Sequence, residues 1–240
     1  MKTSTPTPLL RPRAFTLIEL LVVIAVIGIL AALIFPITAG IKRSRLIKVA
    51  QTELSQIEIA IESYKASRGH YPPDNPGNFL SNQLFFELKG TVLNNIGGIP
   101  TYVTLDGTGQ IKAPPPLGSS TDFSMTYGAN VKGFVNSSAS AKGDDDKAAA
   151  KNYLVDLKPN QSGALSSGSM IKFLTCSILW DQPGAPVPGG VPNGMNPWRY
   201  ISSNPTNNPT SYDLWIDILV GGKTNRISNW SKQPQLVGAP

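Results

Sequence analysis

The sequence predicts an α+β fold: a long N-terminal helix, half apolar and half amphipathic, packed by a small C-terminal antiparallel sheet. Three observations carry this. Phe15 to Phe35 is a run of 21 residues with a single charge, Glu19. From Leu46 to Tyr64 apolar residues recur at spacings of three or four, the period of one buried helix face. Between Trp198 and Trp230, strand-like runs alternate with turn residues.

Composition sets the outer limits. A chain of 240 residues with 41% hydrophobic residues has enough apolar mass for a modest core. The net charge of +6 includes Lys2, Arg11 and Arg13, all ahead of the first apolar run, and the remainder carries +3. That is too little for a basic nucleic-acid stripe, so no nucleic-acid partner is expected. Cys176 is the one cysteine, which excludes a disulfide framework.

The Phe15–Phe35 run, as a helix, would be about 30 Å long, one hydrocarbon thickness. It exceeds the apolar core of a cleaved secretory signal. Basic residues flank it on both sides, Arg11 and Arg13 before and Lys42, Arg43 and Arg45 after, so charge leaves its orientation open. Glu19 is the anomaly, because an acid inside a spanning helix is costly and by default functional. One reading puts Glu19 at headgroup level. The other gives it a partner: a cut before Phe15 would create an amino terminus four residues away. In a polymer, that amine on one copy would pair with the carboxylate of its neighbour and penalise wrong axial register. Pro36 lacks an N–H and crowds the preceding turn, and Gly28 adds backbone freedom. Between them the helix either loosens and stretches or holds a static kink.

The amphipathic continuation presents Leu46, Ala50, Leu54, Ile57, Ile61 and Tyr64, with Gln51, Glu53, Ser55, Glu58 and Glu62 between. It should end near Ser67 or Arg68, before Gly69 and Tyr71-Pro72-Pro73. A second helix is expected over Asn78 to Lys89, presenting Phe79, Leu84, Phe85 and Leu88. Tyr102–Leu105 and Gln110–Lys112 flank Asp106-Gly107-Thr108-Gly109 as a small hairpin. Residues 90–195 otherwise read as a long irregular insertion. Within it Asp144, Asp145 and Asp146 lack the spacing of a calcium loop, and Gln182–Pro197 is rich in Pro and Gly. The last part reads as strands at Trp198–Ser202, Tyr212–Val220 and Lys223–Trp230, the final two joined by Gly221-Gly222.

At Ala14-Phe15-Thr16-Leu17-Ile18-Glu19-Leu20 the chain resembles the prepilin cleavage and methylation motif of type IV pilin-like proteins. The resemblance implies a cut between Ala14 and Phe15 by a membrane peptidase, N-methylation of Phe15, and an assembly role for Glu19 at the motif's fifth position. Gly28 and Pro36 fall at its fourteenth and twenty-second positions, where such helices carry Gly and Pro. The family's usual residue before the cut is Gly, where this chain has Ala14. Ser63 to Gly90, and the order of motifs around Trp198, Tyr212 and Trp230, resemble the major pseudopilins of type II secretion. The implied organisation is a leader at 1–14, a transmembrane and polymerising helix at 15–36, its amphipathic continuation at 37–68, and a periplasmic domain at 69–240. Implied partners are other pilin-like subunits, the prepilin peptidase, an inner-membrane assembly platform and lipid. No cofactor is expected: the family's calcium loop is here Gly221 to Ser228, without an acid, and Asp213 and Asp217 alone do not make such a site.

An enzyme reading finds no support in motifs. His70 is the sole histidine, and Cys176 lies in an apolar run that reads as a packed element. The alternatives are a pilin for adhesion, motility or DNA uptake, and a membrane-anchored binding module using Trp180, Trp198, Trp215 and Trp230.

Overall fold

A computed structural model describes residues 15–118, 121–128, 131–138, 149–180 and 194–238, leaving aside the side chains of residues 32–40. The leader with Ala14, the Asp144–Asp146 run and most of the Gln182–Pro197 loop lie outside the described residues. The chain divides into two compact units, Met1–Ser44 and Arg45–Pro240.

One helix, α1 (Leu17–Arg68), begins in the first unit and ends in the second. Its backbone passes through Gly28 and Pro36 without a break. In the first unit the side chains from Phe15 to Ala31 are exposed and largely apolar. Among the described residues no helix is long and apolar enough to cross a membrane. The described apolar part of α1, residues 17–31, is about 22 Å long.

In the second unit α1 supplies the core stripe that its period predicts. Ala50, Leu54, Ile57, Ile61 and Tyr64 are buried, and Leu46 packs against them from the edge. Glu53 departs from the pattern. It is buried because its carboxylate accepts the Ser177 N–H at 3.0 Å and the Ser177 hydroxyl. The helix stops at Gly69, whose N–H closes on the Lys65 carbonyl at 2.8 Å.

The second helix is shorter than Asn78–Lys89: α2 spans Leu84–Lys89. The Asn78 side chain accepts the N–H groups of Leu80 and Ser81, and Asn82 accepts that of Leu84. These local bonds hold the chain in turns until Gln83. Leu84, Phe85, Phe86 and Leu88 are buried, whereas Phe79 stays partly exposed against Trp215.

The stretch expected to be an irregular insertion carries regular structure. It contains β1 (Thr91–Ile96), β2 (Ile99–Thr104), β3 (Gln110–Lys112), α3 (Asp122–Tyr127) and β4 (Ser137–Ser138). The strands form a sheet of order β3-β2-β1-β4. The β2–β3 hairpin has the predicted position, with Tyr102 opposite Ile111. The β1–β2 hairpin turns on Gly97 and Gly98, both at positive φ, which a two-residue turn of this hand requires. Tyr102, Phe123, Tyr127 and Phe134 are buried with ring centroids 5.1–6.0 Å apart, an aromatic core for this region. A small pair, β5 (Ser162–Ala164) and β6 (Lys172–Leu174), leads to the buried Cys176.

The C-terminal sheet is an antiparallel meander of β7 (Arg199–Ile201), β8 (Asp213–Val220), β9 (Lys223–Ser228) and β10 (Ser231–Val237), in the order β10-β9-β8-β7. Lys223–Trp230 was expected to be the last strand; it ends at Ser228, and β10 follows and pairs with it. Leu214, Ile216, Ile218 and Val220 are buried on one face of β8, in one cluster with the α1 stripe. Helix plus antiparallel sheet is the expected α+β class.

Candidate functional site

The N-terminal segment holds most of the residues the sequence singled out, and its local geometry is specific. Thr16 is the N-cap of α1. Its hydroxyl oxygen accepts the Glu19 N–H at 3.3 Å, while its own N–H and O–H donate to Glu19 Oε2 at 2.9 and 2.8 Å. This is a reciprocal capping box, in which two otherwise unpaired groups of the first turn satisfy each other. The Thr16-Leu17-Ile18-Glu19 spacing is its sequence signature, and it gives Glu19 a role that spacing to Phe15 alone does not suggest.

Both Thr16 bonds fall on Oε2, and among the described residues Glu19 Oε1 makes no hydrogen bond. One oxygen therefore starts the helix and the other stays open to an outside donor. Phe15 lies immediately before the cap and is 80% exposed. At Gly28 an added side chain would meet nothing within 4 Å among the described residues.

The other singled-out residues do not assemble into a reactive centre. His70 is exposed; its Nδ1 lies 2.8 Å from the Tyr71 carbonyl and its ring meets Tyr64 edge-on. Burial, followed by the Glu53 carboxylate, pushes the Cys176 thiol far above its usual range, which removes its nucleophilic form. Among the described residues no three His, Cys, Asp or Glu side chains gather to hold a metal ion.

Asp213 and Asp217 are each engaged. The Asp213 carboxylate accepts the backbone N–H groups of Thr206, Asn207 and Asn208 at 2.8–2.9 Å, and the Asn207 side chain at 3.0 Å. Asp217 is held by a two-pronged pair from Arg226, at 2.8 and 2.9 Å. Arg226 lies in β9, so a cationic side chain stands against the Asp217 carboxylate.

Sequence reasoning missed a buried polar centre at Glu87. The Glu87 carboxylate accepts the N–H of Val135 at 2.7 Å, the N–H of Asn136 at 2.9 Å and the hydroxyl of Tyr64 at 3.0 Å. Asn136 in turn donates to the carbonyls of Glu87 and Lys151 and accepts from Arg68. A Glu inside an otherwise apolar Leu-Phe-Phe-Glu-Leu helix was the available signal.

Comparison with known proteins bears on the N-terminal segment. Residues 10–35 match the family described as "Prokaryotic N-terminal methylation motif". The chain is similar to the type II secretion system core protein G of Escherichia coli, 39% identical over 67 residues, which is 28% of this chain and 46% of that protein. The proteins of the same name from Pectobacterium carotovorum and Klebsiella pneumoniae are each 36% identical over 67 residues. There the match covers 43% and 48% of the relative. The chain thus spans less than half the length of these relatives. No solved structure matches it. The chain is pseudopilin-like, with a prepilin-type N-terminal motif.

Proposed function

We propose, from a pseudopilin-like chain with this N-terminal motif, that the protein is a structural subunit of a type II secretion pseudopilus. Its role is assembly and not catalysis. The match of residues 10–35 to the methylation motif carries the proposal. In this reading the chain is cut between Ala14 and Phe15, and Phe15 receives the N-methyl group. The apolar helix of residues 15–36 anchors the subunit in the inner membrane before polymerisation, with the domain of residues 69–240 on the periplasmic side.

The capping geometry supports a division of labour at Glu19. Oε2 organises the first turn, which fixes the direction of the carboxylate. Oε1 is left to accept the amino terminus of a neighbouring copy. Inside an apolar filament core such a pair contributes little net stability. A subunit in the wrong register, however, strands a charge in apolar surroundings, which is strongly disfavoured. Gly28 and Pro36 serve as the points where the helix adjusts on leaving lipid.

Co-expression with a type II secretion assembly machinery tests the proposal. The wild type is expected to enter sheared filaments visible by electron microscopy, in a manner that requires the prepilin peptidase. Incorporation that is unchanged when the peptidase is deleted would contradict it.

A further inference from the structure

The outer face of the C-terminal sheet carries an unbalanced set of charges. Since Leu214, Ile216, Ile218 and Val220 point into the core, strand alternation puts Trp215 and Asp217 on the opposite face. Asp217 lies opposite Arg226 in the β8–β9 register, and Arg199 lies opposite Trp215 in the β7–β8 register. Arg226 takes both Asp217 oxygens. Arg199 comes only to 3.9 Å of Asp217, beyond hydrogen-bond reach, although its side chain is 7% exposed.

Among the described residues the Arg199 side chain donates no hydrogen bond, and its Nη1 is buried without a partner. Beside it stands a second unpartnered donor. Trp180 Nε1 is buried without an acceptor, and the Arg199 guanidinium lies 5.9 Å from the Trp180 ring centroid. Trp180 is fixed there by an antiparallel bridge to Gly194. A guanidinium does not discard its charge in a protein, and buried donors left unmade are costly. Among the described residues, two guanidinium groups meet one carboxylate here, which leaves a single positive charge uncompensated.

We infer that Arg199 and Trp180 form a binding site for a carboxylate group. A carboxylate is planar, carries one negative charge, and presents two oxygens that match the guanidinium fork, with the indole N–H as a further donor. A divalent tetrahedral oxyanion would overcompensate the single charge. The inference does not depend on the filament reading, because it rests on the C-terminal sheet alone.

The test uses the full chain in detergent micelles, with formate as a free-anion probe and N-acetylaspartyl amide as a side-chain probe. Chloride at matched ionic strength is the control. The readouts are the Trp180 indole N–H resonance, assigned by its loss in Trp180→Phe, and the thermal midpoint. In the wild type the resonance is expected to shift saturably. At formate one hundred times its Kd, the folded-to-unfolded ratio should rise about a hundredfold. Arg199→Met, which fills the position without charge, should fold and lose both responses. Trp180→Phe should retain a thermal response weakened about tenfold, the loss of one charge-assisted bond. A response to formate alone assigns the site to a small free anion, and a response to both probes extends it to acidic side chains. No response to either probe in the wild type, or the same response in Arg199→Met, would overturn the inference.

Discussion

Replacing Glu87 tests whether the middle of the chain is bound into the domain as the structure has it. Glu87 is fully buried, and three donors converge on it from α1 and from the segment leading to β4. Glu87→Ala strands two backbone N–H groups and a hydroxyl. At about 1–3 kcal/mol for each unmade buried group, and with some recovery by relaxation, the loss should be about 4–6 kcal/mol. That is a large share of the stability of an ordinary domain. Glu87→Gln keeps the shape and one acceptor oxygen, and should cost about 1–3 kcal/mol. The pH dependence separates the two further. Burial raises the Glu87 pKa, and the N–H donors of Asn136 and Val135 with Tyr64 and Arg68 oppose this only in part. A raised folded-state pKa means that its contribution is full below the unfolded value and is lost as pH rises through the folded one. Glu87→Gln should therefore gain on the wild type from pH 4 upward. Denaturant titrations monitored by circular dichroism measure these energies, and hydrogen exchange locates them. The Val135 and Asn136 amides should lose protection in Glu87→Ala while β8 and β9 keep theirs. A loss below about 1 kcal/mol, with those two amides still protected, would refute the reasoning.

Three other perturbations follow from named contacts. Glu19→Gln keeps an acceptor for Thr16 and should leave the helix start within about fivefold of wild type, yet reduce filament incorporation at least about a hundredfold. Equal incorporation by shearing and immunoblot would show that the charge is not needed. Lys89, almost fully buried, is paired with Asp106 at 2.8 Å, so Asp106→Asn should cost about 3 kcal/mol by chemical denaturation, the low end for a broken buried pair because Asp106 is 27% exposed. Burial alone would raise the Asp106 pKa, but Lys89, Thr108 and Thr104 together hold it well below the usual range. Its contribution is thus present above about pH 4 and lost as pH falls toward the depressed folded value. Finally, a chelator should leave the thermal midpoint within about 1 °C, because Asp213 and Asp217 are already satisfied by N–H groups and by Arg226. A fall of several degrees would reveal a bound structural cation.

The elements that were legible are those with a strong local period. The α1 stripe from Ala50 to Tyr64 repeats the helical spacing, and the Leu214–Val220 face repeats the strand spacing, so each declares its buried side without knowledge of a partner. Glu53 and Glu87 were illegible for the opposite reason. Their donors, Ser177 and the Val135–Asn136 pair, lie 124 and 48–49 positions away, so although Glu87 interrupts an apolar helix, nothing local names the groups that satisfy either acid. Strand β10 escaped because Ser231-Lys232-Gln233-Pro234-Gln235 has neither alternation nor apolar content. It forms at a sheet edge by pairing with β9, and Pro234 is tolerated there. The central sheet was obscured by short strands of two to six residues, beside a shared aromatic cluster. At the N-terminus, the cleavage and methylation pattern was readable from seven consecutive residues. The capping box within it was equally local but was hidden behind the more conspicuous charge.

The mature N-terminus is the most direct test of the account. Mass spectrometry of the protein purified from cells with an active prepilin peptidase should give a first residue of N-methylated Phe15, with residues 1–14 absent. An intact leader in those cells, or a mature chain that has lost the whole apolar run, would contradict it.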